Sequence, residues 1–185
     1  MKKGLTEMVF ILDRSGSMGG LEDDTIGGFN SLIAKQKKAE GEGIVTTVLF
    51  DNKYEIIHDR FDLETIGEMT DKEYYVRGTT ALLDAMGSTI QKEINVQEQL
   101  PESEKAEKVI FVIITDGYEN ASCEYRYKDI RRMVEAQQEK GWEFMFLGAN
   151  IDAIEEGGRL GIRKERAVTY KCDSEGLGKS YDCVG

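Results

Sequence analysis

Three short segments of this 185-residue chain carry side-chain oxygens at spacings a metal ion could use. They are Asp13-Arg14-Ser15-Gly16-Ser17, Arg77-Gly78-Thr79-Thr80 and Thr115-Asp116-Gly117. None offers sulfur or imidazole. Oxygen-only donor sets select hard cations such as Mg²⁺, Mn²⁺ or Ca²⁺. Mg²⁺ takes about six ligands and usually keeps several waters. Two carboxylates, Asp13 and Asp116, neutralise a dication, and hydroxyls fill further positions directly or through water. The alternation Asp13-x-Ser15-x-Ser17 lets one turn aim three side chains at a common point, with Gly16 permitting the bend. Taken singly, each segment reads as ordinary turn and helix-cap chemistry. Their combination is what points to a site. Nucleophilic catalysis is not expected, because no base accompanies Ser15 or Ser17 and the lone His58 has no partner histidine.

The elements that must position these segments follow from hydropathy patterning. Met8 to Leu12 is a short apolar run and reads as a strand. Ile26, Phe29 and Ile33 mark a helix within Glu22 to Lys38. Ile44 to Phe50 and Tyr54 to Phe61, joined by Asp51-Asn52-Lys53, read as a hairpin. A polar, poorly periodic stretch covers 62–78. Leu83, Met86, Ile90 and Ile94 mark a second helix, ending in a polar stretch with the single Pro101. Val109 to Ile114 is apolar without alternation, as in a central strand covered on both faces. Ile130, Met133 and Val134 lie on a third helix. Trp142 to Leu147 is a strand with Trp142 in the core, Ile151 to Leu160 a helix, and Ala167 to Tyr170 a last strand. Alternating strands and helices imply an α/β fold: a doubly wound, mostly parallel sheet with one antiparallel edge strand and helices on both faces. Such sheets bind ligands beyond the carboxyl ends of their strands, near the point where strand order reverses. Asp13 and Asp116 fall at two such ends.

Bulk properties set the bounds. The length suits a single domain, read as 1–170 with a Gly-rich polar tail, 171–185. The charge is −11, from 24 basic and 35 acidic side chains. That balance disfavours nucleic acid and anionic membrane surfaces as partners. Cys123, Cys172 and Cys183 fit no zinc spacing, and reduced thiols are expected. No signal-peptide core follows Met1-Lys2-Lys3-Gly4, and no apolar run approaches the roughly 20 residues of a membrane span. The expected location is cytoplasmic.

The same segments carry a family resemblance. DRSGS at Asp13 to Ser17, GTTALLDAM from Gly78 to Met86 and ITDG from Ile114 to Gly117 resemble, in order and spacing, the metal-ion-dependent adhesion site of the von Willebrand factor A domain. The resemblance covers about Thr6 to Tyr170 and suggests a stand-alone domain of bacterial type. It implies that Ser15 and Ser17 ligate directly and that Asp13 and Asp116 act largely through water. Thr80 would be the variable ligand, with Thr79 as its competitor. It further implies Mg²⁺, with Mn²⁺ or Ca²⁺ as alternatives, and a protein partner whose Glu or Asp carboxylate completes the shell. The loops Met18 to Asp24, Met69 to Gly78 and Tyr118 to Tyr125 would set specificity. Arg14 and Arg77 are candidates for the rim or equally for solvated side chains, and Glu119 and Asn120 for the rim or for capping the next helix. The competing reading is a Mg²⁺-dependent phosphotransferase or phosphatase with Asp13 as nucleophile. The haloacid-dehalogenase type needs a second acid two residues on, where this chain has Ser15. That substitution leaves no acid to protonate a leaving group.

Overall fold

A computed structural model describes residues 1–116, 119–149 and 152–170. Gly117, Tyr118, Ile151 and the tail with Cys172 and Cys183 lie outside the described residues. The chain runs β1 (Lys2–Asp13), α1 (Glu22–Lys38), β2 (Glu42–Phe50), β3 (Tyr54–Asp62), α2 (Leu82–Gln99), β4 (Ala106–Thr115), α3 (Tyr127–Glu139), β5 (Glu143–Ala149), α4 (Ala153–Arg159) and β6 (Ala167–Tyr170). The strands form one sheet in the order β3-β2-β1-β4-β5-β6. β3 pairs antiparallel with β2, and every other pairing is parallel.

Strand order reverses between β1 and β4, and their registers bring the two candidate acids to one edge. Leu12 pairs with Ile114, and Asp13 pairs with Phe50 on the other side. β1 and β4 are central because their side chains are apolar on both faces. Val9, Ile11, Phe111 and Ile113 enter one core layer, and Met8, Phe10, Leu12, Val112 and Ile114 enter the other. Residues of α2, α3 and α4 join the first layer. Among the described residues, α1 is the helix that joins the second. The stretch 62–78 completes that layer with buried Leu63, Ile66, Met69 and Tyr74. Its apolar residues are core, although they follow neither helical nor strand periodicity. Trp142 is half-buried and stacks on Phe111 at 5.7 Å, at the margin of the core.

One polar cluster interrupts the first layer. Glu7 on β1 has no exposed surface and accepts from Arg60 Nε at 2.6 Å. Gln97 Nε2 donates to Glu7 and, at 2.8 Å, to Glu93, which is also buried. Burial, reinforced by the neighbouring Glu7, pushes the Glu93 carboxyl up to about 9, so Glu93 keeps its proton at neutral pH. Arg60 adopts φ 56, in the left-handed region, which costs a residue with a Cβ about 1–2 kcal/mol. Its bonds to Glu7 and, through its N–H, to Thr46 Oγ1 (3.2 Å) oppose that cost.

Candidate metal centre

Asp13 closes β1 with no exposed surface. A buried carboxylate needs donors, and each oxygen has one. Ser15 N–H donates to Oδ1 at 2.8 Å, and Thr115 Oγ1–H, from the end of β4, donates to Oδ2 at 2.7 Å. The Asp13 carbonyl accepts from Tyr74 Oη at 2.6 Å. Burial raises the Tyr74 pKa, which keeps that hydroxyl a donor. Asp13 itself is pushed up to about 6, chiefly by burial and further by the charge of Asp116, against the lowering effect of its bonds to Ser15 and Thr115. The two carboxylates are thus close enough to repel one another, an arrangement a dication would relieve.

The chain turns after Asp13 through a short 3-10 segment, Gly16–Met18. Met18, fully buried, anchors the turn to the second core layer. Ser15 is buried, Ser17 is exposed, and their hydroxyl oxygens stand 3.0 Å apart. Gly16 does not take a left-handed φ, and a Cβ there would meet only Gly78 O at 3.6 Å. The position that requires glycine is Gly78. It has φ +69, and a Cβ would run into Asn52 Oδ1 and stand 2.9 Å from Asp51 Oδ2. This close approach lets Gly78 O receive Gly16 N–H at 3.1 Å, while Arg77 N–H bonds Arg14 O at 2.8 Å. The segment before α2 is thereby laid against the turn after β1.

Thr80 is buried and Thr79 is exposed, so Thr80 is the threonine on the inner side of this segment. Its N–H donates to Asn120 Oδ1 at 2.9 Å, and its carbonyl accepts from Asn120 N–H and Ala121 N–H at 2.9 and 3.0 Å. Asp116 is 5% exposed. Sequence spacing did not reveal Tyr74, the Thr115 hydroxyl or the Asn120 amide as supports. The only signal for Tyr74 was an aromatic residue in a polar stretch.

Arg14 is not a rim residue. It is 1% exposed, with Nη1 on Glu55 Oε2 at 2.7 Å, Nε on the Tyr75 carbonyl at 3.2 Å, and its guanidinium over the Tyr75 ring at 4.2 Å. Arg77 is part-exposed and held by Asp51 Oδ2 at 2.8 Å. Among the described residues, Glu119 bonds the first turn of the preceding helix α2 at Leu83, Asn120 bonds Thr80 just before that helix, and neither bonds α3. His58 is satisfied by Thr47 Oγ1 at 2.8 Å.

The donor set fits a hard divalent cation. An octahedral ion with bonds of 2.0–2.1 Å needs neighbouring ligand oxygens about 2.9–3.0 Å apart. The Ser15–Ser17 pair has that separation. Among the described residues no three His, Cys, Asp or Glu side chains gather as a metal cluster, so an ion held here must draw on hydroxyls. No helix among them is long and apolar enough to cross a membrane.

No protein-family model matches the chain, and no curated protein matches it. Solved structures do. Proximal thread matrix protein 1 of the mussel byssus, in a structure described as having a zinc-occupied MIDAS motif, is similar at TM-score 0.60 and 14% identity. That match covers 98% of this chain and 45% of the mussel protein, so the chain spans less than half its length. Manganese-loaded TRAP protein of Plasmodium vivax is similar at TM-score 0.67 and 16% identity, covering 100% of this chain and 74% of that one. The vWF domain of the type V pilus tip protein Mfa5 from Porphyromonas gingivalis is similar at TM-score 0.68 and 9% identity, covering 97% and 93%. The fold is that of a von Willebrand factor A-like α/β domain.

Proposed function

We propose that the chain is a metal-dependent protein-interaction module. Asp13, Ser15, Ser17, Thr80 and Asp116 would hold Mg²⁺, or Mn²⁺ or Ca²⁺ in its place, and a partner would supply a Glu or Asp carboxylate to complete the shell. When bound, the ion supplies Lewis acidity and a fixed geometry, used for adhesion rather than turnover. The observation that carries this reading is the pair of hydroxyl oxygens of buried Ser15 and exposed Ser17, 3.0 Å apart, on the turn that follows Asp13, at the end of the strand paired with the one Asp116 follows. The metal-containing structures of similar fold support it. Asp13 fits a role through water, since both of its oxygens already accept protein hydrogen bonds. Those bonds also weigh against the phosphotransferase reading, because a nucleophile needs an accessible lone pair.

The test is capture of partners from lysate on the immobilised chain, in Mg²⁺ and in EDTA, beside the double variant Ser15→Ala/Ser17→Ala. The expected result is retention only by the wild type in Mg²⁺. Equal retention in all samples contradicts the metal-bridged reading. Mg²⁺-dependent phosphatase turnover lost in Asp13→Asn would replace it with the enzyme.

A further inference from the structure

The residue that caps the N-terminus of helix α2, Ala81, has no side-chain cap bond to offer. A helix N-terminus leaves N–H groups without intrahelical acceptors. Two of them are met from the segment that follows Asp116. Leu83 N–H donates to Glu119 Oε1 at 3.3 Å, and Asp84 N–H donates to Ser122 Oγ at 3.0 Å. The exchange is reciprocal. The Asp84 carboxylate accepts three successive main-chain N–H groups, from Cys123 at 2.8 Å and from Glu124 and Tyr125 at 3.0 Å each. Thr80 is held by the same segment, its N–H by Asn120 Oδ1 and its carbonyl by the N–H groups of Asn120 and Ala121. The Tyr125 ring lies against Gly87, where a Cβ would stand 2.5 Å from ring atoms.

We propose that Asp84 is a positioning residue for the metal centre. By clamping the 120–125 segment onto the first turn of α2, it fixes where Thr80 stands relative to Asp116. The inference rests on the metal-binding reading and adds a residue to it that is not a ligand. A carboxylate suits this place because it accepts at both oxygens and donates at neither. Bonds to an ionised acceptor are also about twice as strong as neutral ones. An amide here would turn an NH₂ group toward at least one of the three donors. Residues that orient ligands from outside the ligand shell typically govern metal affinity by 10–100-fold.

The experiment uses Mn²⁺ as probe on the full chain, with free ion read by electron paramagnetic resonance. Amide hydrogen exchange over 120–125 and urea unfolding without metal are measured alongside. Ser15→Ala/Ser17→Ala tests the centre itself and should abolish binding. Asp84→Asn should weaken Mn²⁺ binding by about tenfold or more and speed exchange at Cys123 to Tyr125, with the ligands untouched. Asn120→Ala, which removes only the acceptor for Thr80 N–H, should weaken binding in the same direction by less, and it decides the matter should Asp84→Asn not fold. Wild-type Mn²⁺ affinity in the folded variant, with exchange accelerated or urea stability lowered, overturns the positioning role and leaves Asp84 merely structural. Absence of Mn²⁺ binding by the wild type overturns the metal reading, and this inference with it.

Discussion

A charged side chain with no exposed surface persists in a fold where its polar atoms are met. Asp13 meets that condition through Ser15 and Thr115, and Arg14 meets it in part. Arg14 Nη2 has no hydrogen-bond partner among the described residues, which puts the burden on Nη1 and its bond to Glu55. Glu55 is half exposed, so on burial alone its loss would look harmless. Removing it leaves a buried guanidinium without its anion, a change that costs about 1–3 kcal/mol or more. Glu55→Ala is therefore expected to lower the urea unfolding free energy by that amount, whereas a variant near wild type would show that Arg14 is held by Tyr75 alone. Asp13, Ser15, Ser17 and Asp116 were legible as candidate ligands because oxygen donors at strand ends declare their chemistry locally, and Thr80 was named through the family resemblance. Their supports were not. Tyr74 and Thr115 reach Asp13 from 61 and 102 residues away, and such meetings exist only once the sheet is assembled.

Helix α2 shows what an element adds. Leu83, Met86 and Ile90 seat its apolar face in the first core layer, and their spacing made the helix readable. Glu93 lies on the same buried side. Its pKa rises from an ordinary value near 4.5 to about 9 in the fold, by burial and then by Glu7. The unfolded chain releases this proton first, so the stability Glu93 contributes is full below about pH 4.5. It is lost progressively as pH climbs toward about 9. Glu93→Gln keeps the shape without the titration. The melting temperature of the variant relative to wild type should therefore rise from pH 5 to pH 8, roughly the window of that loss. A difference independent of pH would show that Glu93 is charged in the fold. The stretch 62–78 was not readable in the same way. It buries Leu63, Ile66, Met69 and Tyr74, spaced by three, three and five residues, a run too short and broken to mark a regular helix or strand, yet it supplies the second layer that α1 alone leaves incomplete.

At the scale of the whole molecule, the order β3-β2-β1-β4-β5-β6 puts the reversal of strand order between β1 and β4. That single feature puts Asp13, with Ser15 and Ser17 on the turn after it, and Asp116 at one edge, and the bond from Gly16 to Gly78 lays the segment that carries Thr80 against that turn. Alternating strand and helix patterns made the sheet and its antiparallel edge readable, because hydropathy follows burial. The reciprocal capping of α2 by the segment after Asp116 was not readable, because Asp84, Ser122 and Glu119 are individually common turn and helix residues.

Whether a divalent cation binds at this edge is read from the melting temperature with and without Mg²⁺. At a hundredfold excess over Kd, binding stabilises the folded state by about 2.7 kcal/mol, roughly 5–10 °C for a domain of this size. The wild type should show that rise, with EDTA reversing it, and Ser15→Ala/Ser17→Ala should show none. An equal rise in both proteins, or none in the wild type, would show that Ser15 and Ser17 hold no cation.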